Sequence, residues 1–402
     1  METVQFVYML VGLLSAFLLA YTLTPPVRVL AFLIKAIDVP LDDRRMHTKP
    51  IPRVGGLAIF LGFTLTTMLF CHYDTTLITV WIGGAAIVLL GMLDDIYRLP
   101  AWSKLIVQLL VASFAVWNGL TIDHINLGGE YIFLGIWKYP VTILWIVGLT
   151  NAINFMDGLD GLACGISAIS SISLTLVLLL SGDMTNAFIT GTLAASCLGF
   201  LPYNANPARI FMGDTGALFL GYTMAVMSVQ GVFKLHAMLA FLVPLALFAL
   251  PLGDTAFAIL RRICAGRSPF SADRGHLHHR LVDLGFTQKE SVKILYALCA
   301  MMGLIAVFFT DAMFAEGRFV KTIGMALLTV GIFVVNFLIM RDPETRRHSG
   351  LTDDEMTVAQ YRAELAEHEK RKAERKNGKV AEASAEPKDG ATGDNTPNDG
   401  NA

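Results

Sequence analysis

Charge is scarce in this chain: charged residues make up 16% of its 402 positions, against about 25% in soluble domains. The formal net charge is −2, so bulk electrostatics say nothing about nucleic acid; no nucleic acid is expected as a partner. Cysteine is sparse too. Cys71, Cys164, Cys197, Cys264 and Cys299 are scattered, mostly inside apolar runs, with no C-x-x-C spacing. That argues against a disulfide framework and against a zinc site built on thiolates. The first apolar run, Val4 to Leu23, has no basic stretch ahead of it and no small-residue cleavage site. It reads as a retained span, not a removed leader. Internal repeats, which mark many transporters, are also missing.

Apolar sequence is abundant, at 54% of residues. It comes in runs near the bilayer-crossing length of about 20 residues. Hydropathy places them at 4–23, 54–71, 77–93, 102–119, 139–156, 161–180, 186–203, 211–231, 237–260, 291–310 and 319–340. The expected fold is therefore an all-α polytopic membrane protein with about eleven transmembrane helices. Pro244 and Pro251 interrupt the 237–260 run, which should be broken or kinked. Residues 121–138 hold two short β-prone stretches around Gly128-Gly129, which predicts an external hairpin. The domain reading is a membrane domain over 1–340 and a charged, partly disordered cytoplasmic tail over 341–402.

Basic residues set the orientation. With the N-terminus outside, the first connection is cytoplasmic and carries Arg28, Lys35, Arg44, Arg45, Lys49 and Arg53. The 261–290 connection, also cytoplasmic, adds Arg261, Arg262, Arg267, Arg274, Arg280 and Lys289. External connections hold only Lys138, Lys234, Arg318 and Lys321. The positive-inside rule selects this arrangement, with a cytoplasmic C-terminus.

In that orientation the unusual polar clusters all fall on the cytoplasmic side. They are Asp42 to Gly56, Asp94-Asp95 with Lys104, Asn151 to Gly161, Tyr203 to Gly216, and Ser268 to Arg280. Such a face would read a charged, soluble substrate beside lipid. Adjacent carboxylates at a low-dielectric boundary repel unless a cation neutralises them. Asp94, Asp95 and Asp214 supply oxygen ligands suited to a hard cation, with phosphate oxygens completing its shell; singly, each could instead cap a helix end. Asn151, Asn154 and Asp157 share one helix face, and Asp160 follows between glycines that permit close ligand approach. An EF-hand is excluded by the ligand spacing. His276, His278 and His279 lie among arginines. They suit phosphate contact, with a transition-metal site or a structural turn as alternatives.

Asp94-Asp95, NAINFMDGLDGLACG (151–165), NPARIFMGDTGALFLG (206–221) and RSPFSADRGHLHHRL (267–281) occur in an order that resembles the polyprenyl-phosphate N-acetylhexosamine-1-phosphate transferases. The similarity spans about 24 to 310. The stretch Ile51-Pro52-Arg53-Val54-Gly55-Gly56 departs from the Thr-Pro-Thr-Met-Gly-Gly type of the phospho-muramoyl-pentapeptide branch. With the histidine motif, it resembles the branch that uses UDP-N-acetylglucosamine (UDP-GlcNAc).

The resemblance implies catalytic roles for Asp94, Asp95, Asp157, Asp160 and His279. It implies a magnesium ion, with manganese as a substitute, on Asp214, Asp95 and Asp157. Substrate contacts would fall to Lys49, Lys104, Asn154, Asn204, Phe211, Arg267, Arg274, His276 and His278, with Asn204 and Phe211 where the family places uracil contacts. It further implies a homodimer in the bacterial cytoplasmic membrane. The reaction would give polyprenyl-diphosphate-GlcNAc and UMP, the first lipid-linked step of an envelope polysaccharide. Another UDP-N-acetylhexosamine or phospho-MurNAc-pentapeptide is the alternative donor. A transporter of anionic solutes is the competing class, favoured by one residue, Asp254, deep in the 237–260 run.

Overall fold

A backbone surrounded by hydrocarbon must satisfy its N–H and C=O groups within its own segment, so apolar runs of bilayer length become helices. The structure, a computed structural model, describes residues 2–39, 50–127, 130–233, 242–264, 266 and 276–314. The chain divides into two units, Met1–Asp38 with Ile51–Ser349, and Val39–Pro50 with Gly350–Ala402. Lys49, Arg267 and Arg274, the 319–340 run and the 341–402 tail lie outside the described residues.

The protein is an all-α polytopic membrane protein. Its helices are α1 (Glu2–Leu33), α2 (Gly56–Phe70), α3 (Thr75–Tyr97), α4 (Ala101–Trp117), α5 (Lys138–Met156), α6 (Leu162–Leu180), α7 (Met184–Asn204), α8 (Gly213–Gly231), α9 (Leu242–Leu247), α10 (Ala249–Cys264), α11 (Leu277–Asp283) and α12 (Gln288–Phe314). Every expected run from 4–23 to 291–310 is met by helix. Six helices among the described residues are long and apolar enough to cross a membrane, starting at Val7, Thr75, Gly135, Leu162, Met184 and Gln288. α2 and α4 are shorter apolar helices. The 237–260 run is broken as its prolines require, with α9 and α10 meeting at Phe248. The first helix runs further than expected, through Pro25-Pro26 to Leu33, which membrane helices tolerate when neighbours satisfy the freed groups.

The anticipated hairpin is present. Strands β3 (His124–Leu127) and β4 (Glu130–Phe133) pair antiparallel, Leu127 opposite Glu130. A second pairing was not foreseen: β1 (Ile37–Asp38) pairs antiparallel with β2 (Ile51–Pro52). Phe211 N–H donates to the Pro52 carbonyl (2.8 Å), and Gly55 and Gly56 N–H donate to the Phe211 and Met212 carbonyls (3.0 and 2.9 Å). The chain after α1 is thereby tied to the start of α8.

α8 is the central helix. Residues Thr215 to Val229 are buried throughout, and it packs on α2, α3, α5, α6 and α7. A helix apolar on one stripe could not occupy such a place; this one is small or apolar all round. Without hydrophobic drive between helices in lipid, close backbone packing supplies the attraction. Gly56 and Gly216 make that contact: a Cβ on Gly56 would stand 2.0 Å from the Gly216 Cα.

Candidate active site

The site is assembled where α3 and α5 end and α4 and α8 begin. Asp74 caps α3 at its start, accepting from the Leu77 N–H (2.7 Å). At the other end Arg98 is left-handed (φ 54°) and Pro100 starts the turn into α4. The Asp94 Oδ1 accepts the Leu99 N–H at 2.7 Å and fastens this turn. Lys104, in the first turn of α4, is thus brought back over Asp94.

Lys104 Nζ donates to Asp94 Oδ2 at 3.0 Å and to Asp214 Oδ2 at 2.8 Å. One ammonium joins two carboxylates 120 positions apart in the chain. The Asp94 and Asp214 carboxylates also face each other directly, and the Asn154 amide bonds Asp214. Both are exposed by only 12% and 23% at the side chain.

Asp95 has a different job. Its Oδ1 accepts the Asp214 N–H (3.1 Å), and its Oδ2 accepts the Thr215 N–H (3.1 Å) and hydroxyl (2.7 Å). A buried carboxylate is well placed there, because helix N-termini carry unpaired N–H groups and positive potential. Arg53 approaches from β2, with Nη2 at 3.2 Å from the buried Asp38 and Nη1 at 4.0 Å from Asp95.

Asp157 follows α5 directly. Burial, then the charges of Asp214 and Asp95, push its carboxyl up to about 8, with Arg53 opposing. With Asp157 held largely protonated at pH 7, Asp94, Asp95 and Asp214 still outnumber Lys104 and Arg53, and that surplus of carboxylate suits a further cation. Among the described residues no three His, Cys, Asp or Glu side chains form a closed metal cluster. Magnesium needs none: one or two carboxylates, waters and substrate phosphates complete its shell. Asp94 and Asp214, already drawn together around a cation, fit that requirement.

Asp160 sits beside Asp157 but is engaged as scaffold. Its Oδ2 accepts from Asn206 Nδ2 (2.9 Å) and the Ala208 N–H (3.0 Å), while Asn206 also donates to Gln288 Oε1 (2.8 Å). That network fixes the 205–212 connection. Just ahead of it Asn204 is buried, with its Nδ2 donating to the Ile210 carbonyl (3.1 Å) and its Oδ1 without a partner among the described residues. Phe211 is held by the backbone bonds to β2 already described.

The histidines form a column against the end of α5. The Phe155 ring lies 5.9 Å from His276, His276 5.8 Å from His278, and His278 4.3 Å from His279. His278 is 2% exposed, and neither ring nitrogen has a hydrogen-bond partner among the described residues. Burial, then the neighbouring His279 and His276, push it down to about 4, so the ring is neutral at pH 7. It lies over Gly158, where a Cβ would stand 2.2 Å from its Nε2; the glycine is what admits the ring.

The structure therefore gathers Asp94, Asp95, Lys104, Asn154, Asp157 and Asp214, with His276, His278 and His279 adjoining through Phe155 and Gly158. Asn204 and Asp160 belong to the neighbouring scaffold. Arg53 and Thr215 were overlooked as site residues. Arg53 was legible as a basic residue of a cytoplasmic connection and as part of the 51–56 stretch, not as a partner of Asp38 and Asp95, and nothing in sequence pairs Thr215 with Asp95. Asn151, grouped with Asn154 by spacing, instead exchanges hydrogen bonds with buried Gln108 of α4.

Residues 77–232, which supply most of these groups, match the model of glycosyl transferase family 4. The chain is 37% identical over 342 residues to a probable undecaprenyl-phosphate N-acetylglucosaminyl 1-phosphate transferase of Bacillus subtilis, covering 84% of this chain and 92% of that one. It is 33% identical over 368 residues to the decaprenyl-phosphate N-acetylglucosaminephosphotransferase of Mycolicibacterium smegmatis, covering 83% and 89%. A Thermotoga maritima undecaprenyl-phosphate alpha-N-acetylglucosaminyl 1-phosphate transferase is 34% identical over 263 residues, covering 65% and 78%. A match of this extent makes the chain a member of glycosyl transferase family 4, the polyprenyl-phosphate N-acetylhexosamine-1-phosphate transferases.

Proposed function

We propose that the protein transfers N-acetylglucosamine-1-phosphate from UDP-GlcNAc to a polyprenyl phosphate, releasing UMP, at the cytoplasmic face of a bacterial inner membrane. The observation that carries this is the Asp94–Lys104–Asp214 arrangement, a charged polar centre built at one end of an apolar bundle. The names of the relatives support the sugar and the lipid. The basic asymmetry supports the N-out, C-in orientation. The homodimer remains part of the proposal on family resemblance alone.

In the reaction an acceptor phosphate oxygen attacks the sugar-bearing phosphorus. A new P–O bond forms, the bridging P–O bond breaks, and its electron pair leaves with UMP. The acceptor needs little activation, since a phosphate monoester with a second pKa near 6 is already mostly dianionic at pH 7. Alignment and charge stabilisation carry the catalysis. Lys104 offers its ammonium to the phosphates between Asp94 and Asp214. Asp95 holds the N-terminus of α8, and with it Asp214, in place. Asn154 orients the Asp214 carboxylate, and the Asp157 carboxyl, largely protonated at pH 7, adds a polar group near it. The histidine column offers ring nitrogens to the diphosphate. Asp94 and Asp214 would hold a magnesium ion, which would supply charge neutralisation for the departing UMP.

The deciding experiment incubates purified protein with magnesium, polyprenyl phosphate and a panel of UDP-sugars, and reads UMP and lipid product. UDP-GlcNAc should be turned over and chelator should stop the reaction. Asp214→Asn should be inactive yet remain folded in detergent. Full activity in chelator would remove the metal, and preference for another UDP-sugar would replace the donor.

A further inference from the structure

Asp254 lies deep in the interrupted run, in α10, and its carboxylate is almost fully occupied across the fold. Oδ2 bonds His276 Nδ1 at 2.8 Å, and Oδ1 accepts the Leu277 N–H at 2.8 Å. The side chains of His276 and Asp254 are 9% and 6% exposed. The contact joins residues 22 apart in sequence, at the head of the histidine column.

A carboxylate can only accept, so His276 meets it with Nδ1–H. That choice fixes both ring orientation and proton placement, leaving Nε2 as the atom available to a ligand. The second oxygen pins the backbone where α11 begins, which sets the start of the segment carrying His278 and His279. Two bonds from one residue therefore control where the column stands against Phe155 and Gly158.

We propose that Asp254 is a positioning residue that fixes the tautomer and orientation of His276 and anchors the histidine column for the diphosphate. The proposal rests on the phosphotransferase reading above. It also accounts for a buried acid that would otherwise favour a transport path: Asp254 faces a histidine of the same site.

Asp254→Asn tests the idea because it keeps size while reversing one hydrogen-bond sense. The Asn carbonyl can still accept the Leu277 N–H, but its amide now donates to His276 and displaces the Nδ1 proton. Turnover should fall about 10–100-fold, the range for orienting partners of functional histidines. Amide exchange at Leu277 should stay protected. Adding Asp254→Asn to His276→Ala should cost nothing further, since residues acting through one another are non-additive. Losses that multiply, or Asp254→Asn at wild-type turnover, would overturn the proposal.

Asp254→Ala separates this from the functional reading. It removes both acceptors, so Leu277 should exchange faster whatever the substrate is. Unchanged exchange there would refute the anchor. A wild-type protein that turns over no UDP-sugar would instead refute the phosphotransferase reading, with the anchor still decided by exchange.

Discussion

Asp94 and Asp95 are neighbours in sequence but should fail differently. Asp95 accepts three hydrogen bonds from the first residues of α8. In Asp95→Asn the amide oxygen can keep the Thr215 pair only by turning its NH2 toward the Asp214 N–H, donor against donor. One buried N–H is left unmet, costing about 1–3 kcal/mol, and two charge-assisted bonds become neutral, costing roughly 1 kcal/mol each. Relief of a buried charge offsets part of this. The net loss is about 2–4 kcal/mol. On the soluble-domain scale of roughly 2–4 °C per kcal/mol, thermal unfolding should fall by about 5–10 °C. Asp94→Asn is the control. Its oxygen can still accept the Leu99 N–H, and the loss of the Lys104 ion pair is offset by removing a like-charge contact with Asp214 and by an amide NH2 that can donate to that carboxylate. It should unfold at the wild-type temperature or slightly above it, yet lose turnover. Unfolding of both variants would be followed in detergent, beside UMP release. If Asp95→Asn keeps wild-type thermal stability and loses only activity, Asp95 is not the anchor of α8 and the division of labour is wrong.

Other outcomes follow from the same geometry. Reporter fusions at Gly129 and after Arg347 should lie on opposite sides, external and cytoplasmic; both on one side would sink the orientation. Among the described residues no Cys or Ser stands in the Asp94–Lys104–Asp214 centre, and a direct displacement is simpler than attack by an Asp nucleophile; UMP–UDP-sugar exchange without lipid acceptor would instead reveal a covalent intermediate. His279→Ala should lose about 3 kcal/mol of transition-state stabilisation, as for other electrostatic donors, and His279→Gln should recover part of it; stoichiometric zinc that is lost in His279→Ala would favour a metal role.

The helices were legible because apolar runs of bilayer length leave the backbone little choice, and the broken 237–260 run because proline removes a donor where lipid offers no substitute. The hairpin was legible from its paired β-prone stretches. The β1–β2 pairing was not, since two-residue strands carry no periodicity. The site was legible as a set of residue types at helix ends. Their partners were not, because hydrogen bonds between α3 and α8 join residues about 120 apart.

That distinction decides how the acidic motifs divide. Sequence presents Asp94, Asp95, Asp157, Asp160 and Asp214 as equivalent candidates, all beside glycines or one another. The fold spends Asp95 on the N-terminus of α8 and Asp160 on the 205–212 connection. Asp94 and Asp214 remain around a cation, with Asp157 alongside. An acid whose oxygens are filled by backbone N–H groups holds a helix in register; an acid whose oxygens meet a lysine can exchange that lysine's company for substrate and metal. Gathering carboxylates at a membrane boundary is costly, and each must be stabilised by one route or the other. On the proposed reading, Asp95 and Asp160 hold in place the carboxylates that would meet substrate, and both kinds are needed for one centre.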